Sequence, residues 1–168
     1  MPLLGKGVEY AIHSLYYMID APKDRIMTIA DLATFQNISE SYLAKVFTRL
    51  QKGGLVRSNL GVKGGYVLAK DPSEITFWDI AVAVEGRVSL FECHDVSSGC
   101  ILYNGNGKNS DEVCTIHAVF LEANQKLEAY LKNKDLRWLH ATLAKVIPDT
   151  FLKEADNWFN LQKLKAKD

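Results

Sequence analysis

The run Ser39–Gly86, SESYLAKVFTRLQKGGLVRSNLGVKGGYVLAKDPSEITFWDIAVAVEG, decides how this chain folds. Its first third carries Leu43, Val46, Phe47 and Leu50 at spacings of three and four, the mark of a helix that buries one stripe. Ser39 stands where an N-cap belongs, and Gly53-Gly54 ends the periodicity. The free face is polar and basic. LVRSN and YVLAK then read as two short strands joined by the glycine-rich LGVKGG, and Asp71-Pro72 stops the second. Thr76 begins another short helix, TFWDIAVAVEG.

Working outward, Val8, Ile12, Leu15 and Ile19 predict a helix over residues 5–20, ended near Asp20-Ala21-Pro22. Thr28 caps TIADLATF, with Asp31 in the place of a capping-box acid. Two helices joined by the turn QNI, the second basic on its free face, are the sequence form of a helix-turn-helix, and a hairpin directly behind them is a wing. Downstream, Ile116, Phe120, Ala123, Leu127 and Tyr130 predict a helix from about Val113 to Leu131. At roughly 27 Å it outreaches a small domain and is expected to pack against its counterpart in a second subunit. Asp135 caps LRWLHATLAKV, and after Pro148 an amphipathic segment carries Phe151, Ala155, Trp158, Phe159 and Leu164. The expected fold class is mainly α: a winged helix-turn-helix with a two-stranded wing, a long dimerisation helix and C-terminal helices. The expected divisions are a winged-helix DNA-binding domain at 1–86, a cysteine-containing sensor loop at 87–113, the dimerisation helix at 114–133 and a helical extension at 134–168.

The chain's net charge is zero, which by itself argues against a nucleic-acid partner, but the distribution reverses that. Residues 40–70 hold six basic side chains against one acid, a local net of +5, and a phosphate backbone feels the patch within a Debye length of about 8 Å. The apolar N-terminus contains Lys6, Glu9, His13 and Asp20, so it suits neither a signal peptide nor a membrane helix, and the expected address is cytoplasmic with no membrane partner. In that reducing compartment the three cysteines are not expected to form structural disulfides. Metal, redox chemistry or plain burial remain.

All three thiols lie in ECHDVSSGCILYNGNGKNSDEVCTIH, Glu92–His117. Cys93, Cys100, Cys114 and His117 are separated by six, thirteen and two residues. Thiolates are soft donors that suit iron-sulfur clusters, zinc or Cu(I), and a neutral imidazole can be an exchangeable fourth ligand. No Cys-x-x-Cys, Gly-x-Ser-x-Gly or phosphate-binding loop occurs, which speaks against an enzyme. A thiol redox enzyme and a winged-helix adaptor for another protein are the rivals from other classes.

The segments SYL...F..L...GLV and GGYVLAKDP, with the Cys-x2-His that opens the long helix, resemble the Rrf-type winged-helix transcription regulators of bacteria, over about Gly5 to Leu131. That family includes the regulator of iron-sulfur cluster assembly, the nitric-oxide-sensing nitrite repressor and the repressor of cysteine metabolism. The resemblance implies a two-fold symmetric homodimer that offers paired recognition helices to a pseudo-palindromic operator in double-stranded DNA. It places Ser39, Ser41, Tyr42, Lys45 and Arg49 at the DNA, with Thr28, Arg57, Lys63, Gly64 and Gly65 as further candidate contacts, and Lys45 and Arg49, one helical turn apart, can face one groove. It implies a repressor switched by redox or nitric oxide chemistry at an iron-sulfur cluster, 2Fe-2S or 4Fe-4S, or through thiol redox state. Cys93, Cys100, Cys114 and His117 would hold the cluster, and Glu9 and His13 of the first helix could join from the opposite subunit. Zinc or no metal are the alternatives. Three departures stand out: Ala44 replaces an acid of the recognition helix, Leu60 replaces a wing arginine, and the gap between Cys100 and Cys114 exceeds the family's usual five or so residues. The iron-sulfur regulator's operator preference is therefore not carried over.

Overall fold

The computed structural model describes residues 3–21, 26–59, 64–92 and 115–165, with side chains as far as Gln162. Among them, α1 (Lys6–Tyr16), α2 (Ile29–Gln36) and α3 (Glu40–Lys52) precede the antiparallel strands β1 (Val56–Asn59) and β2 (Gly65–Leu68). Then come α4 (Phe77–Glu85), α5 (Thr115–Lys132), α6 (Leu136–Leu143) and α7 (Asp149–Lys165). The order is that of a winged helix-turn-helix followed by three further helices, as the periodicity predicts.

The caps form where the sequence puts them. The Thr28 hydroxyl accepts the Asp31 N–H at 3.0 Å, Ser39 accepts that of Tyr42 at 3.4 Å, and Asp135 accepts that of Trp138 at 2.6 Å. Thr76 and Asp79 close a reciprocal capping box. Between α2 and α3, Asn37 takes the left-handed conformation (φ 53°, ψ 49°), and the Ile38 N–H returns to the Ala33 carbonyl at 2.9 Å. Helix α1 ends earlier than expected. Met18 and Ile19 bond back three residues, to Leu15 and Tyr16, and turn into the core.

Leu43, Val46, Phe47 and Leu50 of α3 are buried in one core with Leu15 of α1, Leu32 of α2 and Ile80 of α4. Burying a side chain of this size stabilises by about 1.5–3 kcal/mol, whereas an N-cap contributes about 1 kcal/mol. The stripe, more than the cap, therefore sets which face of α3 points outward.

In the wing, Val56 pairs with Leu68 and Asn59 with Gly65. An unforeseen third segment joins it: Met27 and Tyr66 exchange N–H···O bonds of 3.1 and 2.8 Å. Gly65 makes this approach possible, because a Cβ there would lie 2.7 Å from the Met27 carbonyl oxygen and press on the Ile26 methyl. At the wing's far end Asp71 accepts the N–H and hydroxyl of Ser73, which hold its carboxyl below the usual carboxylate range.

Helix α6 is bonded to the winged-helix unit. The Phe77 N–H donates to the Lys134 carbonyl at 2.8 Å, the Leu136 N–H to Ile75 at 3.0 Å, and Leu136 is fully buried. Asp20 receives Arg137 Nη1 at 3.0 Å, and His140 Nε2 lies 3.0 Å from its other oxygen. Helix α7 lays Trp158 and Phe159 against Phe35 of α2, with ring centroids 5.0 and 4.8 Å away. The Leu164 side chain, expected on the same stripe, lies outside the described residues. By contrast α5 has no buried residue along its 18 positions.

Gly65→Ala is expected to cost about 1–3 kcal/mol, as overpacking does, read as a lower urea midpoint with an unchanged slope. An unchanged midpoint would mean that the Met27 segment is not held against β2.

Candidate nucleic-acid interface and cysteine segment

Opposite the buried stripe of α3, helical spacing places Ser41, Lys45, Thr48 and Lys52 along one exposed face. The Ser39 and Ser41 hydroxyls lie 3.0 Å apart at its N-terminus, beside N–H groups that a phosphate can use. A groove of about 660 Å³ runs there between α3 and α1, lined by Lys6, Tyr10, Ser39, Ser41, Tyr42 and Lys45. The Tyr10 and Tyr42 rings meet edge to face at 5.8 Å and form its wall. Lys6 and Tyr10 were not among the residues expected at the DNA. In sequence Lys6 is only a charge near the start of a helix, and the packing of α1 on α3 is what brings it to the groove.

The remaining expected residues separate. Arg49 Nη1 donates to the Val84 carbonyl of α4 at 2.6 Å, and the side chain lines a second pocket, so the structure does not bring Arg49 and Lys45 to one groove. Gln51 Nε2 lies 3.2 Å from the Ser58 hydroxyl and ties α3 to the wing. By strand alternation Arg57, next to Ser58, projects from the other face of the hairpin, where it lines a cleft with Met18, Ile19 and Lys70. The Thr28 hydroxyl is engaged in its cap, Gly64 is exposed and Gly65 is buried against Met27. Lys63 and Leu60 lie outside the described residues.

Cys93, Cys100, Cys114 and the adjacent His94 also lie outside the described residues. The chain on either side of them converges. Phe91 stacks on Phe120 of α5 at 4.6 Å, its ring is 6.3 Å from that of His117, and the Leu90 N–H donates to Asn124 Oδ1 at 3.2 Å. His117 is half-buried in the first turn of α5. Glu9 and His13 are exposed on α1 and flank a groove with Leu4, Val8 and Ile12. Among the described residues no three His, Cys, Asp or Glu side chains come together as a metal site.

A wing behind a helix-turn-helix whose second helix offers hydroxyls and cations outward defines a winged-helix, DNA-binding transcriptional regulator. Residues 4–142 match the profile of the Rrf2 family, described as iron-dependent transcriptional regulators. The chain belongs to that family. It is 34% identical over 133 residues to the HTH-type transcriptional regulator IscR of Klebsiella pneumoniae (strain 342), covering 79% of this chain and 76% of the relative. In fold it is similar to CymR, the global cysteine regulator of B. subtilis, with TM-score 0.65, 23% identity, and 84% and 98% of the two chains covered. It also resembles T. potens IscR, with TM-score 0.62, 20% identity, and 88% and 94% covered. These relatives are named as regulators, in keeping with the reading against an enzyme. Among the described residues no helix is long and apolar enough to cross a membrane.

Lys45→Ala and Lys6→Ala are each expected to weaken binding to a DNA duplex and to lower the slope of log K against log salt by about one. Arg57→Ala, on the other face of the wing, should change that slope less. Gel shifts across a salt series check this, and an Arg57→Ala effect equal to that of Lys45→Ala would relocate the interface.

Proposed function

We propose that the protein is a homodimeric, cytoplasmic repressor that binds a pseudo-palindromic operator and releases it when chemistry at the cysteine segment changes. The observation that carries this reading is the convergence of Phe91 on Phe120 and His117, which anchors both flanks of that segment to α5. Cys93 follows Glu92 directly and Cys114 precedes Thr115, so two thiols are joined by short lengths of chain to the neighbourhood of His117. Three soft thiolates with one imidazole suit an iron-sulfur cluster, with Cys93, Cys100, Cys114 and His117 as its ligands. When bound, such a cluster supplies a linkage that is sensitive to oxidation and to nitric oxide. The description of the family as iron-dependent transcriptional regulators supports an iron-containing group.

The chain's own residues carry the consequence. Helix α4 packs on both α3 and α5, and Arg49 bonds α3 to the last turn of α4. A change in how the 88–92 segment lies on α5 therefore bears on the helix that reads DNA. The exposed Ile116, Val119 and Tyr130 of α5, each more than 60% accessible, support pairing with a second copy. Half-sites about 34 Å apart need both readers held at a fixed angle, so a small rotation at that pairing is enough to break simultaneous docking. Glu9 and His13 are exposed on α1, which supports their joining the cluster from a second subunit.

Protein prepared without oxygen is expected to be brown, with iron and acid-labile sulfide in equal amounts, and to lose visible absorbance on exposure to nitric oxide or air. Colourless protein with stoichiometric zinc would refute the cluster. Cys114→Ala should abolish the colour and change affinity for genomic DNA fragments while leaving the far-ultraviolet circular dichroism intact. Separately, Ile116→Glu with Val119→Glu should yield a monomer in sedimentation and cut DNA affinity at least about tenfold. A dimer of unchanged affinity would show that α5 is not the pairing surface.

A further inference from the structure

A second pocket, of about 520 Å³, opens at the opposite end of α3 from the DNA groove. Four cations from three separate parts of the chain converge on it: Arg49 and Lys52 of α3, Lys70 behind β2, and Lys132 at the end of α5. Its floor is apolar, made by the buried Leu55, by Ala83 and by the half-buried indole of Trp78 on α4. One acid, Asp79, lies in the lining, and its Oδ2 already accepts the Thr76 N–H at 3.0 Å and the Thr76 hydroxyl at 2.6 Å.

Helix dipoles account for part of this charge. Arg49, Lys52 and Lys132 stand in the last turns of their helices, where cations are favoured. That preference explains neither Lys70 nor the gathering of all four around one indole, since like charges held together cost free energy unless an anion offsets them. Nor are the cations consumed locally. Arg49 spends one nitrogen on the Val84 carbonyl and keeps other N–H groups of its guanidinium. Lys132 pairs with Glu128 at 2.7 Å, an i,i+4 pair between an exposed lysine and a half-buried glutamate of the kind worth a few tenths of a kcal/mol, and the ammonium keeps further N–H groups for a phosphate.

We propose that this pocket is a binding site for a small phosphate-bearing ligand with a flat ring, of the nucleotide class. The ring lies on Trp78 and Val82, and the phosphates are held by Lys52, Lys70, Lys132 and the free nitrogens of Arg49. The size suits such a ligand, since small-molecule sites span about 300–1,000 Å³. The pocket lies apart from the groove at the N-terminus of α3: Lys45 lines that groove and Lys52, at the other end of the same exposed face, lines this pocket, seven residues and about 10 Å of helix away.

Calorimetry on the full-length chain with ADP, adenosine and inorganic pyrophosphate tests the assignment. ADP is expected to bind once per chain, with adenosine and pyrophosphate each at least about tenfold weaker because each lacks half of the recognised chemistry. Lys70→Ala and Lys132→Ala, both at exposed positions, should each weaken ADP several-fold, and Trp78→Leu should bring ADP down to the level of pyrophosphate. Lys45→Ala should leave ADP binding unchanged. Absence of saturable ADP binding overturns the proposal, as does binding indifferent to Lys70→Ala and Lys132→Ala. Pyrophosphate as tight as ADP in the parent would remove the ring from the argument, and loss of ADP binding in Lys45→Ala would assign the anion to the DNA groove instead.

Discussion

Everything this protein does with DNA depends on the rotation of α3 about its own axis. Leu43, Val46, Phe47 and Leu50 must leave water together, and once they do, Ser41, Lys45, Thr48 and Lys52 have nowhere to point but outward. Losing Phe47 would cost about 3–5 kcal/mol, a large share of a small domain's stability, so the core holds the reading face more firmly than any surface contact does. The neighbours then trim the pose. Gln51 pins the wing side to Ser58, and Arg49 pins the other side to the Val84 carbonyl.

Helix α5 obeys the opposite rule. It is 18 residues long and, although Phe91 and α4 cover part of it, Ile116, Val119 and Tyr130 stay exposed and without cover among the described residues. Surface ion pairs such as Glu122 with Lys126 at 2.7 Å keep its polar side solvated, and each partner shifts the other toward its charged form. On the proposed reading such a helix takes a partner of its own kind, because two identical stripes cover each other at no extra cost in sequence. Helix α3 thus closes the internal core while α5 turns apolar side chains outward, and α4 touches both.

How much of this could be read from the chain follows from the range of each interaction. Caps and stripes are local, so Thr28, Ser39, Thr76 and Asp135 were legible, and with them the element order. The wing was legible because glycines and a proline punctuate it. What the sequence concealed is contact between distant segments. Met27 bridging Tyr66 has no periodicity to announce it, and it turns Gly65 from a loop residue near DNA into a packing requirement. Arg49 looked like a groove contact one turn from Lys45, yet its long side chain reaches sideways to the Val84 carbonyl of α4. The strand pleat turns Arg57 away as well. Charge type is written in the sequence, but the direction of a long side chain is decided by what packs beside its backbone.

The C-terminal helices show a last consequence of that rule. Helix α2 buries only Leu32 and Ala33 along eight residues, a small hold for the helix that sets the turn into α3. Beyond the family-matched region at 4–142, α7 brings Trp158 and Phe159 onto Phe35, while Tyr17 meets Phe35 from α1's side with centroids 5.0 Å apart. Such aromatic contacts add about 0.5–1.5 kcal/mol each beyond the area they cover. The added helix therefore extends the core around α2 and does not found a second domain. Asp20 works in the same direction, receiving Arg137 and His140 of α6 at the end of α1 and, after burial itself, helping to raise the Tyr16 hydroxyl above its ordinary pKa. The segment that sequence alone left without a role is, in the folded chain, a brace on the first helix of the DNA reader.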